Sequence, residues 1–145
     1  MRAPAAIAVA ATTLVLALSA GGCTKLSHRT ETSSLNKAFS KAFKLSYAAA
    51  YRMTTGRSRR GIIGSAKADC HPRGAEPKGD RGWRWACQIE WKRRDRTDRH
   101  ASSYTVTVDP RGCFQATSAN FPVRLYERAL HRPARNPLVY IRSCP

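Results

Sequence analysis

The chain has 145 residues, with 26 Lys and Arg against 9 Asp and Glu, a formal charge of +17 and 42% hydrophobic residues. That length is expected to hold one domain. The charge favours polyanions and disfavours cationic partners, and the apolar share is that of a globular chain, although the amino terminus inflates it.

The first element is a targeting segment. Met1 to Gly22 has one charged residue, Arg2, then an Ala/Val/Leu-rich run from Ala5 to Leu18, then Ser19, Ala20, Gly21 and Gly22. A basic start, an apolar run short for a bilayer and small residues before a cut describe an export signal. The following "SAGGC" resembles the lipobox of bacterial lipoproteins, which implies that Cys23 is a lipid acceptor. Ala20 departs from that pattern, because an aliphatic residue such as Leu is usual three positions before the cysteine. The alternatives are ordinary cleavage, with Cys23 a free or disulfide-bonded thiol, and a retained helix.

Setting Cys23 aside leaves Cys70, Cys87, Cys113 and Cys144, an even number in an exported chain and the pattern of two disulfides. Four cysteines allow three connectivities. Cys70 with Cys87 and Cys113 with Cys144 is favoured because each pair closes a contiguous segment. Loops of 16 and 30 residues would each contribute on the order of 3 to 4 kcal/mol by restricting the unfolded chain. No short Cys-x2-Cys spacing exists, so no metal site is expected.

Three segments follow from this: residues 1–22 as signal, 23–34 as a lipid-anchored tether and 35–145 as the folded domain. The tether, "TKLSHRTETSS", is polar and rich in Ser and Thr, and Ser33 or Ser34 is placed to cap a helix. From Leu35 to Met53 the residues Leu35, Phe39, Ala42, Phe43, Ser46 or Tyr47, Ala50 and Met53 recur at helical spacing. Lys37, Lys41, Lys44 and Arg52 fall on the opposite side, and Gly56 ends the run.

The remainder reads as strands. Ile62 to Asp69 is the first. In "WRWACQIEW", Trp83, Trp85, Cys87, Ile89 and Trp91 alternate with Arg84, Ala86, Gln88 and Glu90, the pattern of a half-buried antiparallel strand. "KRRDRTDRH" is a charged connection, and "SYTVTVD" repeats the alternation with Tyr104, Val106 and Val108 inward. "DPRG" is a turn by composition, "CFQATSA" a further strand and "PLVYIRSC" the last. Between these, Val123 to Leu130 is expected to form a short helix bounded by prolines. The sum is an α+β domain: one long amphipathic helix on an antiparallel sheet of about four to five strands, with two disulfides.

An export signal with a lipobox, a helix, and strands carrying "ADCHP", "WACQIEW", "YTVTVDPRGC" and "NPLVYIRSC" is similar to small secreted lipoproteins of high-GC bacteria. The resemblance rests mainly on disulfide anchors and strand patterns. It implies an extracytoplasmic, non-catalytic domain anchored to the bacterial cell membrane, and it transfers no active-site residue.

The residues themselves offer little chemistry. His28, His71, His100 and His131 fall in predicted loops or the tether, the acids are scattered, and no nucleophile elbow or phosphate loop is present. No catalytic residue, cofactor or metal is therefore assigned, and a small extracytoplasmic hydrolase is kept only as an alternative. Charge is what remains: 25 basic and 9 acidic residues after the signal, +16. Two clusters stand out from it. Lys37, Lys41, Lys44 and Arg52 would face an anionic membrane if an acyl group held the chain there. Lys92, Arg93, Arg94, Arg96 and Arg99 form a basic loop. Together they are the candidate contacts for an anionic lipid or cell-wall polymer. Alternatively, the loop at 92–100 is the binding edge of a secreted inhibitor or interaction module. A solvated basic surface is the simpler reading of each cluster. Nucleic acid is not expected, because the tryptophans share the core face with Ile89 and the chain is exported.

Overall fold

The computed structural model describes residues 32–58, 61–74 and 82–144. Cys23, His28, the export signal and most of the tether lie outside these residues. The chain forms α1 (Thr32–Thr55), β1 (Ile63–Pro72), β2 (Trp83–Arg93), β3 (Arg99–Val108), β4 (Phe114–Thr117), β5 (Arg124–Glu127), β6 (Arg132–Arg135) and β7 (Tyr140–Ser143). Five strands make one antiparallel sheet in the order β1-β2-β3-β4-β7, and β5 and β6 make a separate two-stranded sheet.

The helix forms where its apolar spacing places it, and one face carries Leu35, Phe39, Ala42, Phe43 and Ala50 into the core. It begins three residues earlier than expected. Ser33 and Ser34 therefore lie within the first turn, and the capping position falls outside the described residues. At the other end Gly56 takes a left-handed conformation (φ 71°), and its N–H donates to the Arg52 carbonyl at 2.8 Å, closing the last turn as helices commonly do.

The sheet is one-sided, and its alternation explains why. Trp85, Cys87, Ile89 and Trp91 of β2 are buried, as are Tyr104, Val106 and Val108 of β3. Trp83, at the end of the ladder, is only half-buried. The opposite face carries Lys67, Asp69, His71, Arg84, Gln88 and Glu90, all exposed. Phe39 packs edge-on against Tyr104 with ring centroids 5.1 Å apart, and Phe43 lies 4.9 Å from Trp91. A further contact protects the sheet edge: the Ala68 N–H on β1 donates to Ser40 Oγ of the helix at 2.9 Å. Full burial of such side chains stabilises by roughly 1.5 to 3 kcal/mol each.

Both expected disulfides are present, Cys70–Cys87 and Cys113–Cys144. Cys70 and Cys87 are direct cross-strand partners and fully buried, whereas the second bond ties the β3–β4 turn to the end of β7 and leaves Cys144 exposed. Structural disulfides persist in oxidising compartments, which places the folded chain outside the cytoplasm. Among the described residues no helix is long and apolar enough to cross a membrane.

Two expectations are corrected. Val123 to Leu130 is not a helix: Arg124–Glu127 pairs with Arg132–Arg135 as a hairpin. The turn is made at His131, the one described non-glycine residue with positive φ (48°). A helix there would have needed a buried apolar stripe, but Val123 and Leu130 are exposed and only Leu125 turns toward the core. The hairpin instead donates the Arg128 N–H to the Met53 carbonyl at 2.9 Å, satisfying a free acceptor at the end of α1. The second correction concerns β1, which runs past Asp69 to Pro72. His71 therefore lies in a strand, as does His100 in β3, and of the described histidines only His131 keeps its predicted place in a turn.

Candidate functional site: the basic tip of the β2–β3 hairpin

The tip follows from the ladder beneath it. Cross-strand pairing between β2 and β3 runs from Trp83 with Val108 to Lys92 with Arg99, so the charged residues 94–98 are left to form the connection. The tip is tied back at its base, where the Arg94 N–H donates to the Ile62 carbonyl at 3.0 Å. An open cleft of about 670 Å³ runs between residues 92–98 and the start of β1 at Gly64 and Ser65.

The five basic residues of the loop divide into two roles. Arg93 is committed to the protein: its Nε and a terminal nitrogen donate to the two carboxylate oxygens of Asp95 at 2.9 and 2.7 Å, a bidentate pair. Its guanidinium also lies 5.5 Å from the centre of the Tyr51 ring on α1, within cation–π range. The bond from Asp95 holds the Arg93 guanidinium above its ordinary pKa, so it stays charged at any ordinary pH. Arg94, Arg96 and Arg99 are exposed, and Lys92 is half-exposed. Sequence spacing could not tell these roles apart, because one of the two groups that hold Arg93, the Tyr51 ring, belongs to another element.

The helix stripe is equally accessible: Lys37, Lys41, Lys44 and Arg52 are all exposed. The 15-residue separation of its ends makes it roughly 22 Å long. The tip adjoins its carboxyl-terminal end, where Tyr51 meets Arg93, and not the Lys37 end. The β5–β6 hairpin adds Arg124, Arg128, Arg132 and Arg135, all exposed, around this same end of α1. The expected helix, Val123 to Leu130, contained Arg124 and Arg128 but not Arg132 or Arg135, and none of the four was singled out as a site residue. No period-two alternation marks them: in "RPAR" Arg132 shares a face with Ala134, and Pro133 with Arg135.

Two histidines do meet acids. His71 Nε2 lies 3.3 Å from Asp69, and His100 Nε2 lies 2.8 Å from Asp98. The first pair sits on the open face of the sheet in a shallow cleft that also includes Ser103 and Thr105. Register separates these hydroxyls from the histidine: Asp69 pairs with Gln88, which pairs with Ser103, and His71 pairs with Ala86, which pairs with Thr105. Two strand spacings, about 10 Å, separate the backbone positions that carry them, so the register places no hydroxyl directly beside the imidazole. Among the described residues, no group of three or more His, Cys, Asp or Glu side chains is placed to hold a metal ion.

Compared with known proteins, the chain matches no family model, no curated protein and no solved structure. Function must accordingly be argued from the surface itself.

Proposed function

We propose that this chain is a lipid-anchored, non-catalytic protein of the bacterial cell envelope that holds an anionic surface or polymer against its basic tip and helix stripe. The observation that carries this reading is the division of labour in the loop: Arg93 is locked between Asp95 and Tyr51, while its neighbours Arg94, Arg96 and Arg99 stand exposed on the rigid base it makes. Basic residues near an anionic surface each contribute about 1 kcal/mol, and an acyl group on Cys23 would supply the second signal that stable membrane attachment needs. The oxidising compartment implied by the disulfides is consistent with this placement.

Two measurements test it. Metabolic acyl labelling and membrane fractionation should find the wild type labelled and membrane-bound and the Cys23→Ala protein unlabelled and released; an unlabelled wild type, or equal retention of both, sinks the anchor. With the Cys23→Ala protein, binding to phosphatidylglycerol vesicles or to a phosphate-bearing wall polymer should fall at least about tenfold when Arg94, Arg96 and Arg99 are changed together to Gln. Unchanged binding to both would remove the tip from the function.

The rigid presentation of residues 92–100 also favours a second reading, an interaction module or secreted inhibitor that uses the same loop on a protein. Capture from an envelope extract decides it: a partner lost specifically on neutralising the loop supports this reading over the polymer.

A further inference from the structure

Exposed apolar surface is concentrated at one place in this protein. Of the four large apolar side chains that stand exposed among the described residues, three fall within eight positions of the β5–β6 hairpin: Val123 is 67% exposed, Tyr126 56% and Leu130 53%. Scattered singly, such residues need no explanation, but their gathering on one hairpin marks a contact surface. The hairpin is also firmly seated. The Asn136 N–H donates to the Val123 carbonyl and its side-chain amide to the Pro122 carbonyl, both at 2.9 Å, while the Arg128 N–H holds the turn to the Met53 carbonyl and Leu125 packs on the core. The fold therefore uses Leu125 and leaves the other three in water.

The charges on the hairpin are likewise unused by the fold. Leu125 and its cross-strand partner Ala134 are half-buried on the inner face, so the outer face carries Arg124 opposite Arg135 and Tyr126 opposite Pro133, all exposed. Like charges directly opposite each other weaken a pair of strands. None of Arg124, Arg128, Arg132 and Arg135 makes an ion pair among the described residues. The one acid of the segment, Glu127, shares the inner side with Leu125 and is half-buried.

We infer that the β5–β6 hairpin is an interfacial membrane-contact element, which seats Val123, Tyr126 and Leu130 at the headgroup boundary of an anionic bilayer while its arginines pair with lipid phosphates. The interleaving selects this partner. Each of the three apolar residues has an arginine within two positions. A bilayer offers phosphate and acyl chain within roughly 5 to 10 Å of depth, so that apolar side chains sink while long arginine stems keep their heads among the phosphates. Tyrosine favours the same boundary, where one end of the ring is apolar and the other wet. A soluble polyanion would engage the arginines but leave Leu130 in water. The inference rests on the envelope placement proposed above, but on neither the acyl group nor the 92–100 tip.

A label at the hairpin tests it separately from both. The full chain carrying Cys23→Ala has no acyl acceptor, and its four remaining cysteines are in disulfides, so Leu130→Cys can take a nitrobenzoxadiazole fluorophore alone. With vesicles of equal phosphatidylglycerol and phosphatidylcholine the label should shift to the blue and be quenched by doxyl-labelled lipid, and with phosphatidylcholine alone it should do neither. The same label at Thr105→Cys, exposed on the open face of the sheet, should stay unchanged. Val123→Ser with Tyr126→Ser should weaken the Leu130-label response about tenfold. Changing Arg124, Arg128, Arg132 and Arg135 together to Gln should weaken it about a hundredfold or more without lowering thermal stability, since the Arg124–Arg135 repulsion is relieved. At saturating lipid the Arg94, Arg96 and Arg99 to Gln protein should keep the full shift, whatever its own test of the tip returns. No shift on anionic vesicles, an equal shift at Thr105, or loss of the shift in the tip variant overturns the proposal. An equal shift with a soluble phosphate-bearing wall polymer overturns the bilayer assignment, and a less stable four-arginine variant would return those residues to a structural role.

Discussion

The two hairpins of this protein contrast sharply. The β2–β3 hairpin is ten pairs long, buries one face except at its ends and carries an alternation readable in the sequence. The β5–β6 hairpin is four pairs long, mostly exposed, and its pattern suggested a helix. The difference is burial. A strand that must bury every second residue writes period two into its composition, whereas a strand held by a turn and one docking contact has no such obligation. Arg-rich short strands therefore resemble any polar segment until the surface they dock on is known.

That contrast can be broken by mutation. Ile89 in β2 is fully buried, so Ile89→Ala should cost about 2 to 5 kcal/mol, whereas Leu125→Ala in β5 should cost less than about 1.5 kcal/mol because the site is already half-open. Chemical denaturation of both variants with disulfides intact gives the comparison, and equal losses would mean that the small hairpin is as integral as the large one. At the base of the long ladder Gly82 sits where an added Cβ would collide with the Val108 carbonyl. Gly82→Ala should therefore destabilise by about 1 to 3 kcal/mol and shift the amide resonances of Trp83 and Val108.

Tyr104 sharpens the comparison through pH. Its hydroxyl donates to the Leu138 carbonyl at 2.8 Å in the core, and burial pushes its phenol above the ordinary range. The unfolded phenol loses its proton above about pH 10 while the folded one keeps it, so the folded state then holds more protons and stability falls as pH rises. Tyr104→Phe should cost about 1 kcal/mol at pH 7 and flatten the decline above pH 10; an unchanged alkaline slope would show that another group controls it. The smallest effect belongs to the tip. Arg93→Met should cost about 1 kcal/mol, since its ion pair is largely sheltered and its stem packs on Tyr51, whereas Arg96→Met should change thermal stability by less than about 0.5 kcal/mol. Equal effects would erase the division between the structural and displayed arginines.

Much of the fold was legible because its long elements have one wet and one dry face. Leu35, Phe39 and Phe43 announced the helix, Trp85 to Trp91 and Tyr104 to Val108 announced the central strands, and the even cysteine count announced two bonds. The pairing followed from contiguity, and the register shows why it succeeds for the first bond: Cys70 and Cys87 face each other across adjacent strands. The basic loop was legible as a candidate site but not as a divided one. Asp95 is two residues from Arg93, yet the Tyr51 ring that completes its enclosure is 42 positions away. The ring cluster around Trp91 was invisible for the same reason, since Tyr47, Trp91 and Phe121 come from three elements and each reads in isolation as ordinary core.

The sequence by itself determined the main periodic elements, the side of each that is buried, the even cysteine count that favours two disulfides and the abundance of surface charge, because these depend on local spacing and on the cost of wetting apolar groups. Tertiary structure alone decided the short β5–β6 hairpin, which arginine is locked and which are displayed, and the ring contacts between Trp91 and the helix. Those features depend on distances between residues far apart in the chain, which become defined only when the core closes.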